Sequence, residues 1–396
     1  KYKIVLIFFL NLQYSIAQQH LIVQNYDSEQ GLSQNSVWSI TQSGDGFMWF
    51  GTQDRLNRFD GSRFMTIFPN PLKRNGKLVN GKLSKMVFAL CVDKKGFIWI
   101  GTTKEIYIYD RIKDKSILPD EIYPGFEIPQ ETFIKVIKED ERFIYVASSN
   151  NGLFIYDKLQ KRMINLIWIT KKEISIVSIF FDDFGQVYFA SENEIYKLKN
   201  HNTIEKIKLN FPRQTMNHPI ADAIFIKSEL WVVRSNPEIY IFELHNNKKK
   251  KLKFFKQVYH GNGYIVDPKI IMKSDSNTVW IGCRSDGVLK IDLATKKYIK
   301  LNATGSKNSL KRPFVLSLFT DNQKNVWIGL SGGGVAKYDA GRLFFESWYN
   351  KPVIYKQMYD NMVLSIFKLS NTEFLLGTQF GGLCYKNIIT NEFKYF

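Results

Sequence analysis

The chain has 396 residues, 15% of them aromatic, with 55 Lys and Arg against 37 Asp and Glu, a formal net charge of +18. That length suits one large or two small domains, and so many aromatic residues argue against a disordered chain. Three cysteines, Cys91, Cys283 and Cys384, give no disulfide framework and read as buried apolar thiols.

The N-terminus stands apart from the rest. Lys1-Tyr2-Lys3 is a basic start, Ile4 to Leu10 an apolar run, and Ser15-Ile16-Ala17 a small-x-small site. The pattern predicts a signal peptide over residues 1–17, cleaved after Ala17. The apolar run is shorter than the roughly 20 residues that a membrane span needs.

From there on one phrase repeats. Its clearest copies are Gly46-Phe47-Met48-Trp49-Phe50-Gly51-Thr52, followed by Leu56 to Gly61, and Gly96-Phe97-Ile98-Trp99-Ile100-Gly101-Thr102, followed by Ile106 to Asp110. Later copies centre on Tyr145, Tyr188, Trp231, Trp280, Trp327 and Leu375, with steps between the eight anchors of 50, 46, 43, 43, 49, 47 and 48 residues. Each copy reads as four short strands bounded by Gly, Asn, Asp and Ser, and no long helical period follows the N-terminus. Four strands per repeat is the arithmetic of a β-propeller blade. A β-sandwich does not account for one four-strand phrase repeated eight times. The aromatic of the second strand would pack between blades. The small residue two positions on (Gly51, Gly101, Ala147, Ala190, Gly282, Gly329, Gly377) would admit the next sheet. Val233 breaks that rule, so packing at the fifth copy is expected to be looser or shifted. His20 to Tyr26 read as a fourth strand without a blade of its own, placed to complete blade seven.

No catalytic constellation emerges. Five histidines show no metal-ligand spacing, and no metal or cofactor is expected. Gly332-Gly333-Gly334 and Gly381-Gly382 lie between strands, whereas a phosphate cradle needs a following helix. Asp45, Asp93, Asp140, Asp182 and Asp321 recur at the first hairpin, where turn chemistry accounts for them. Lys248 to Lys251, with Lys253 and Lys256, fall at an expected turn between the third and fourth strands of blade five and read as a solvated tip. What remains is a scaffold whose loops bind something. The loops after the second strands supply the candidates Gln53, Arg55, Arg234, Arg284 and Gln379, the arginines being suited to clamp a carboxylate or sulfate. The basic charge admits an acidic glycan; an exported chain is expected to have no nucleic-acid partner.

The stretch from Gly31-Leu32-Ser33-Gln34-Asn35-Ser36-Val37-Trp38 through Gly46 to Thr52 and Leu56 to Gly61 resembles the opening of the two-component regulator propeller proteins, the periplasmic sensor halves of hybrid two-component systems in Bacteroidetes-type bacteria. The likeness runs through nearly the whole chain after the signal peptide, weaker in copies three to five. Arg55 departs from it, standing where the family usually has Gly. The resemblance implies an all-β chain: a seven-bladed propeller over residues 18–340 and the first blade of a second over 341–396, with a single eight-bladed ring as the alternative. It implies a non-enzymatic, periplasmic sensor of an oligosaccharide or polysaccharide fragment, acting as a homodimer on a histidine kinase that lies outside this segment, in a full-length protein anchored in the inner membrane. A secreted propeller lyase or glycosidase, or a protein-interaction scaffold, are the alternative readings.

Overall fold

The computed structural model describes residues 23–74, 77–78, 83–165, 175–200, 203–211, 218–235, 239–244, 248–252, 268–306, 308–339, 362–387, 390 and 393–396. The signal-peptide reading falls on residues outside this set. The chain divides into two compact units, residues 1–340 and 341–396.

Among the described residues the first unit holds seven four-stranded antiparallel sheets. In chain order their innermost strands are Val37–Gln42, Val87–Val92, Ile134–Glu139, Ile176–Phe181, Ile220–Ile226, Pro268–Lys273 and Val315–Thr320. Each inner strand packs on the next, and the seventh packs on the first, so the sheets form a closed ring of blades. Six blades are continuous in sequence. The seventh is composite: Val23–Tyr26 pairs antiparallel with Val335–Tyr338, Val23 opposite Tyr338 and Tyr26 opposite Val335. The join is reinforced where Asn25 donates to the Ser309 carbonyl at 2.8 Å and Lys311 pairs with Asp27.

Local sequence explains the blade. The second strands are buried along their length, as in Met48–Thr52 and Ile98–Thr102, so both faces of each sheet are apolar and must be covered by neighbours. The glycine two residues after the aromatic anchor sets the approach. A Cβ on Gly101 would lie 2.5 Å from Ile134 Cγ2, and one on Gly282 2.5 Å from Val315 Cγ1, each at the first residue of the next blade's inner strand. At the fifth blade Val233 is fully buried with blade-six residues such as Ile271 and Ile281. Packing there is not loosened. The next inner strand begins with Pro268, where the glycine-bearing interfaces present Val or Ile, so the larger residue has moved to the other side of the seam.

Two expectations change in detail. Lys248–Leu252 is not a hairpin tip but the outer strand of blade five, Lys248 opposite Glu243 and Lys251 opposite Tyr240, while Lys253 and Lys256 lie outside the described residues; an outer edge is where lysines discourage strand pairing with other chains. The first-hairpin aspartates also do more than turn chemistry. One oxygen accepts turn amides, as Asp321 Oδ1 does from Gln323 and Asn325, while the other takes the indole of Trp327 at 2.8 Å.

The second unit carries one four-stranded sheet with an inner strand Val363–Lys368, a second strand Glu373–Thr378 and the same register shift between Val363 and Ser365. All six residues of that inner strand are exposed.

Candidate functional site at the channel mouth

In every blade the inner strand carries a β-bulge one residue after its start: the register shifts between Val37 and Ser39, Val87 and Ala89, Ile134 and Val136, Ile176 and Ser178, Ile220 and Asp222, Pro268 and Ile270, and Val315 and Ser317. A bulge leaves one residue out of the ladder and re-aims its side chain. The residues so placed are Trp38, Phe88, Lys135, Val177, Ala221, Lys269 and Leu316, one per blade.

Their contacts locate them at the axis. The Trp38 and Phe88 ring centroids are 4.6 Å apart, and Phe88 and Phe133 4.7 Å apart, joining blades one, two and three. Lys269 of blade six sets its ammonium 5.0 Å from the Trp38 ring centroid and 5.4 Å from that of Phe314. Blade seven separates blade six from blade one around the ring, so Lys269 reaches Trp38 past the start of blade seven, where it also meets Phe314. Lys135 adds a second cation, 5.6 Å from the Phe133 ring. Trp38, Phe88, Phe133 and Phe314 are each half-buried, lining a wall rather than filling a core. The Trp38 Nε1–H is buried with no acceptor. The opposite arc, Val177 and Ala221, is apolar and small.

These residues sit near the starts of the inner strands and so share one end of the ring with the loops that follow the second strands. Backbone bonds tie those loops to the next blade: Arg55 N–H donates to the Lys85 carbonyl at 2.6 Å, Ile220 to Glu192 at 2.6 Å, Gly287 to Pro313 at 2.9 Å and Gly334 to Asn35 at 2.8 Å. The mouth is therefore a cross-braced rim.

The sequence-derived residues take different places on it. Gln53 is exposed, 3.4 Å from the Gln34 amide. Arg55 is half-buried with φ of 77°, stacks on Phe68 at 4.6 Å and pairs with Asp54 at 3.1 Å. Arg234 is buried at 2% exposure: its Nε donates to the His218 carbonyl at 2.7 Å, its guanidinium lies 4.3 Å from the Phe211 ring, and burial pulls its pKa down. Arg284 is exposed on the turn before Val288. Gln379 is exposed on the second unit. The three arginines thus share a rim, Arg234 turned into its own blade. Sequence reading missed the bulged ring. The signal was in the repeat: aligned at the strand start, Val-Trp-Ser-Ile, Val-Phe-Ala-Leu, Ile-Lys-Val-Ile and Pro-Lys-Ile-Ile share apolar flanks around one freely varying residue.

The class that this geometry defines is a β-propeller of four-stranded blades. Residues 31–54 and 81–104, the starts of blades one and two, match the family model of the two component regulator propeller. A 70-residue stretch, 18% of this chain and 5% of the relative, is 34% identical to histidine kinase P4 of Formosa agariphila. Among solved structures, the extracellular domain of the B. thetaiotaomicron hybrid two component system BT4673 is similar with a TM-score of 0.66 at 15% identity, over 95% of this chain and 47% of that one. That of BT3049 from the same organism is similar with a TM-score of 0.65 at 19% identity, over 93% and 48%. The chain thus spans about half the length of these solved relatives, and the likeness at such identities is one of fold.

Proposed function

We propose that this chain is the ligand-recognising ectodomain of a two component signalling protein, and that it takes an oligosaccharide or a fragment of a polysaccharide at the channel mouth. One observation carries the reading: four half-buried aromatic rings from blades seven, one, two and three converge on a braced rim. Aromatic faces supply the broad apolar platform on which sugar rings stack, and the rim supplies donors for hydroxyls. The extracellular domains among the fold relatives support the placement outside the cytoplasm, in the periplasm, with the rest of the protein anchored in the membrane. Among the described residues no helix is long and apolar enough to cross a membrane. Binding would favour one arrangement of a homodimer and bias a kinase beyond this segment.

The second unit fits one blade of a second propeller. Leu364, Ile366 and Phe367 of its inner strand are about two-thirds exposed, apolar surface of the kind that neighbouring blades bury in the first unit.

Thermal unfolding of the full chain against a panel of neutral and acidic oligosaccharides tests the proposal. A saturable rise in Tm with one glycan class supports it, since a ligand of the native state must stabilise that state. A well-folded protein that no glycan stabilises overturns it.

A further inference from the structure

We infer that the ligand subsite at the channel mouth selects a sugar bearing a negative group, a carboxylate or a sulfate, through Lys135 and Lys269. This deepens the proposed glycan reading and rests on it. Of the seven bulged residues, two are lysines and none is acidic. Both ammonium groups are held over aromatic rings, Lys135 over Phe133 and Lys269 over Trp38 and Phe314, within the same arc that offers stacking surface. A cation fixed on a ring face sits where an anionic substituent of a stacked sugar arrives, and in a half-buried wall its interaction is less screened than on open surface. The buried indole N–H of Trp38 adds a donor without an acceptor between the two.

Asp222 follows the bulged Ala221 of blade five. Asp222 turns its carboxyl to the amides of Ala223 and Ile271, at 2.8 and 3.0 Å, and burial raises its pKa, disfavouring its charge. Asp267, the residue before the blade-six inner strand, lies outside the described residues. The whole chain, at +18, adds a long-range field of the same sign.

The test uses matched pairs in which one glycan is present with and without its charge: de-esterified and methyl-esterified oligogalacturonides, and sulfated and desulfated carrageenan oligosaccharides. Isothermal titration of the full chain should give at least about tenfold tighter binding of a charged member, about 1.4 kcal/mol, than of its neutral partner. Which pair discriminates separates carboxylate from sulfate. Lys269→Met and Lys135→Met, made separately so that one survives a folding defect in the other, should shrink the ratio of charged to neutral affinity within the discriminating pair. Lys269→Arg should retain discrimination. Equal affinity within every pair overturns the charge inference and leaves the glycan reading standing. No binding by any member overturns both.

Discussion

The Nε1 of Trp99 donates to Asp93 Oδ2 at 2.8 Å, and the hydroxyl of Tyr123 reaches the same oxygen at 2.6 Å. The aspartate closes its own hairpin with its other oxygen, accepting the Phe97 amide at 2.9 Å. One side chain thereby joins the blade's first turn, its aromatic anchor and the segment leading to blade three. The device recurs with substitutions: Trp49 donates to Ser43, Tyr145 to Asp140, Trp280 to Ser274 and Trp327 to Asp321. Blade five lacks it; there Lys227 and Ser228 make the turn with positive φ, and the Trp231 Nε1 is buried without an acceptor.

Removing the shared acceptor should be expensive. Asp93→Ala leaves two buried donors unpaired, and we expect a loss of about 2–4 kcal/mol in urea unfolding. Trp99→Phe also gives up a satisfied bond, whereas Trp231→Phe removes an orphaned donor. The loss at Trp231 should therefore be smaller by about 1 kcal/mol or more, and equal losses would refute the role assigned to the bond.

The glycine at the blade seam is a steric requirement. A Cβ on Gly101 would meet Ile134 Cγ2 at 2.5 Å and Cβ at 2.7 Å, so Gly101→Ala should cost about 1–3 kcal/mol through overpacking. Gly44 has nothing within 4 Å and no positive φ. Gly44→Ala should leave stability unchanged or raise it by about 0.4–1 kcal/mol, because it restricts the unfolded chain. Thermal melts of the two variants separate packing from glycine content.

Arg55 occupies the left-handed region at φ 77°, where Gly152, Gly287 and Gly334 stand at 70°, 69° and 73° before the third strands of other blades. Arg55→Gly trades relief of backbone strain against loss of the Phe68 stacking and the Asp54 pair, and should move stability by less than about 1 kcal/mol. Arg55→Val, β-branched in the same conformation, should be less stable than Arg55→Gly by about 1–2 kcal/mol. Chemical denaturation of the pair measures the strain directly.

Two carboxyls should respond to pH with opposite sign. For Asp222, burial raises the pKa against hydrogen bonds that lower it. The native state then holds its proton more tightly than the unfolded chain, and the contribution is lost as pH rises above the ordinary carboxylate range. For Asp27, burial raises the pKa, but the bond and charge of Lys311 and the Glu29 amide outweigh it and the net shift is downward. Its contribution is present above the unfolded value and lost as pH falls through the folded one. Between about pH 4 and 8, wild type should weaken relative to Asp222→Asn as pH rises, whereas relative to Asp27→Asn it should hold steady there and weaken as pH falls below about 4. Parallel pH profiles would contradict the assignment.

Much of the blade was legible because its constraints are local. The anchor at Trp99 and the glycine at Gly101 are two residues apart, and the turn aspartate six residues before the anchor is readable from one copy. Even Val23–Tyr26 was visible as a strand without a partner. The mouth was harder to read. Trp38, Phe88 and Lys269 share no stretch of sequence; a bulge in each of three strands and closure of the ring bring them together. Bulged positions also escape the alternation that flags a strand, so the residues that line the channel look like noise in the pattern. The arginines were visible as loop cations, but only the fold turns Arg234 onto Phe211.

The pairing of Val23 with Tyr338 has a consequence for how the chain comes into being. Val23–Tyr26 is synthesised ahead of the six continuous blades and must wait for the seventh before it finds its sheet. Until then six blades can stack while the seventh lacks an edge, and the growing structure remains an open arc with its seams unsecured at one end. Completion is then a single late event that converts the arc into a loop without ends. A nascent chain halted before residue 335 would expose the unclosed seam to proteases and to other arcs, whereas a finished one would resist both.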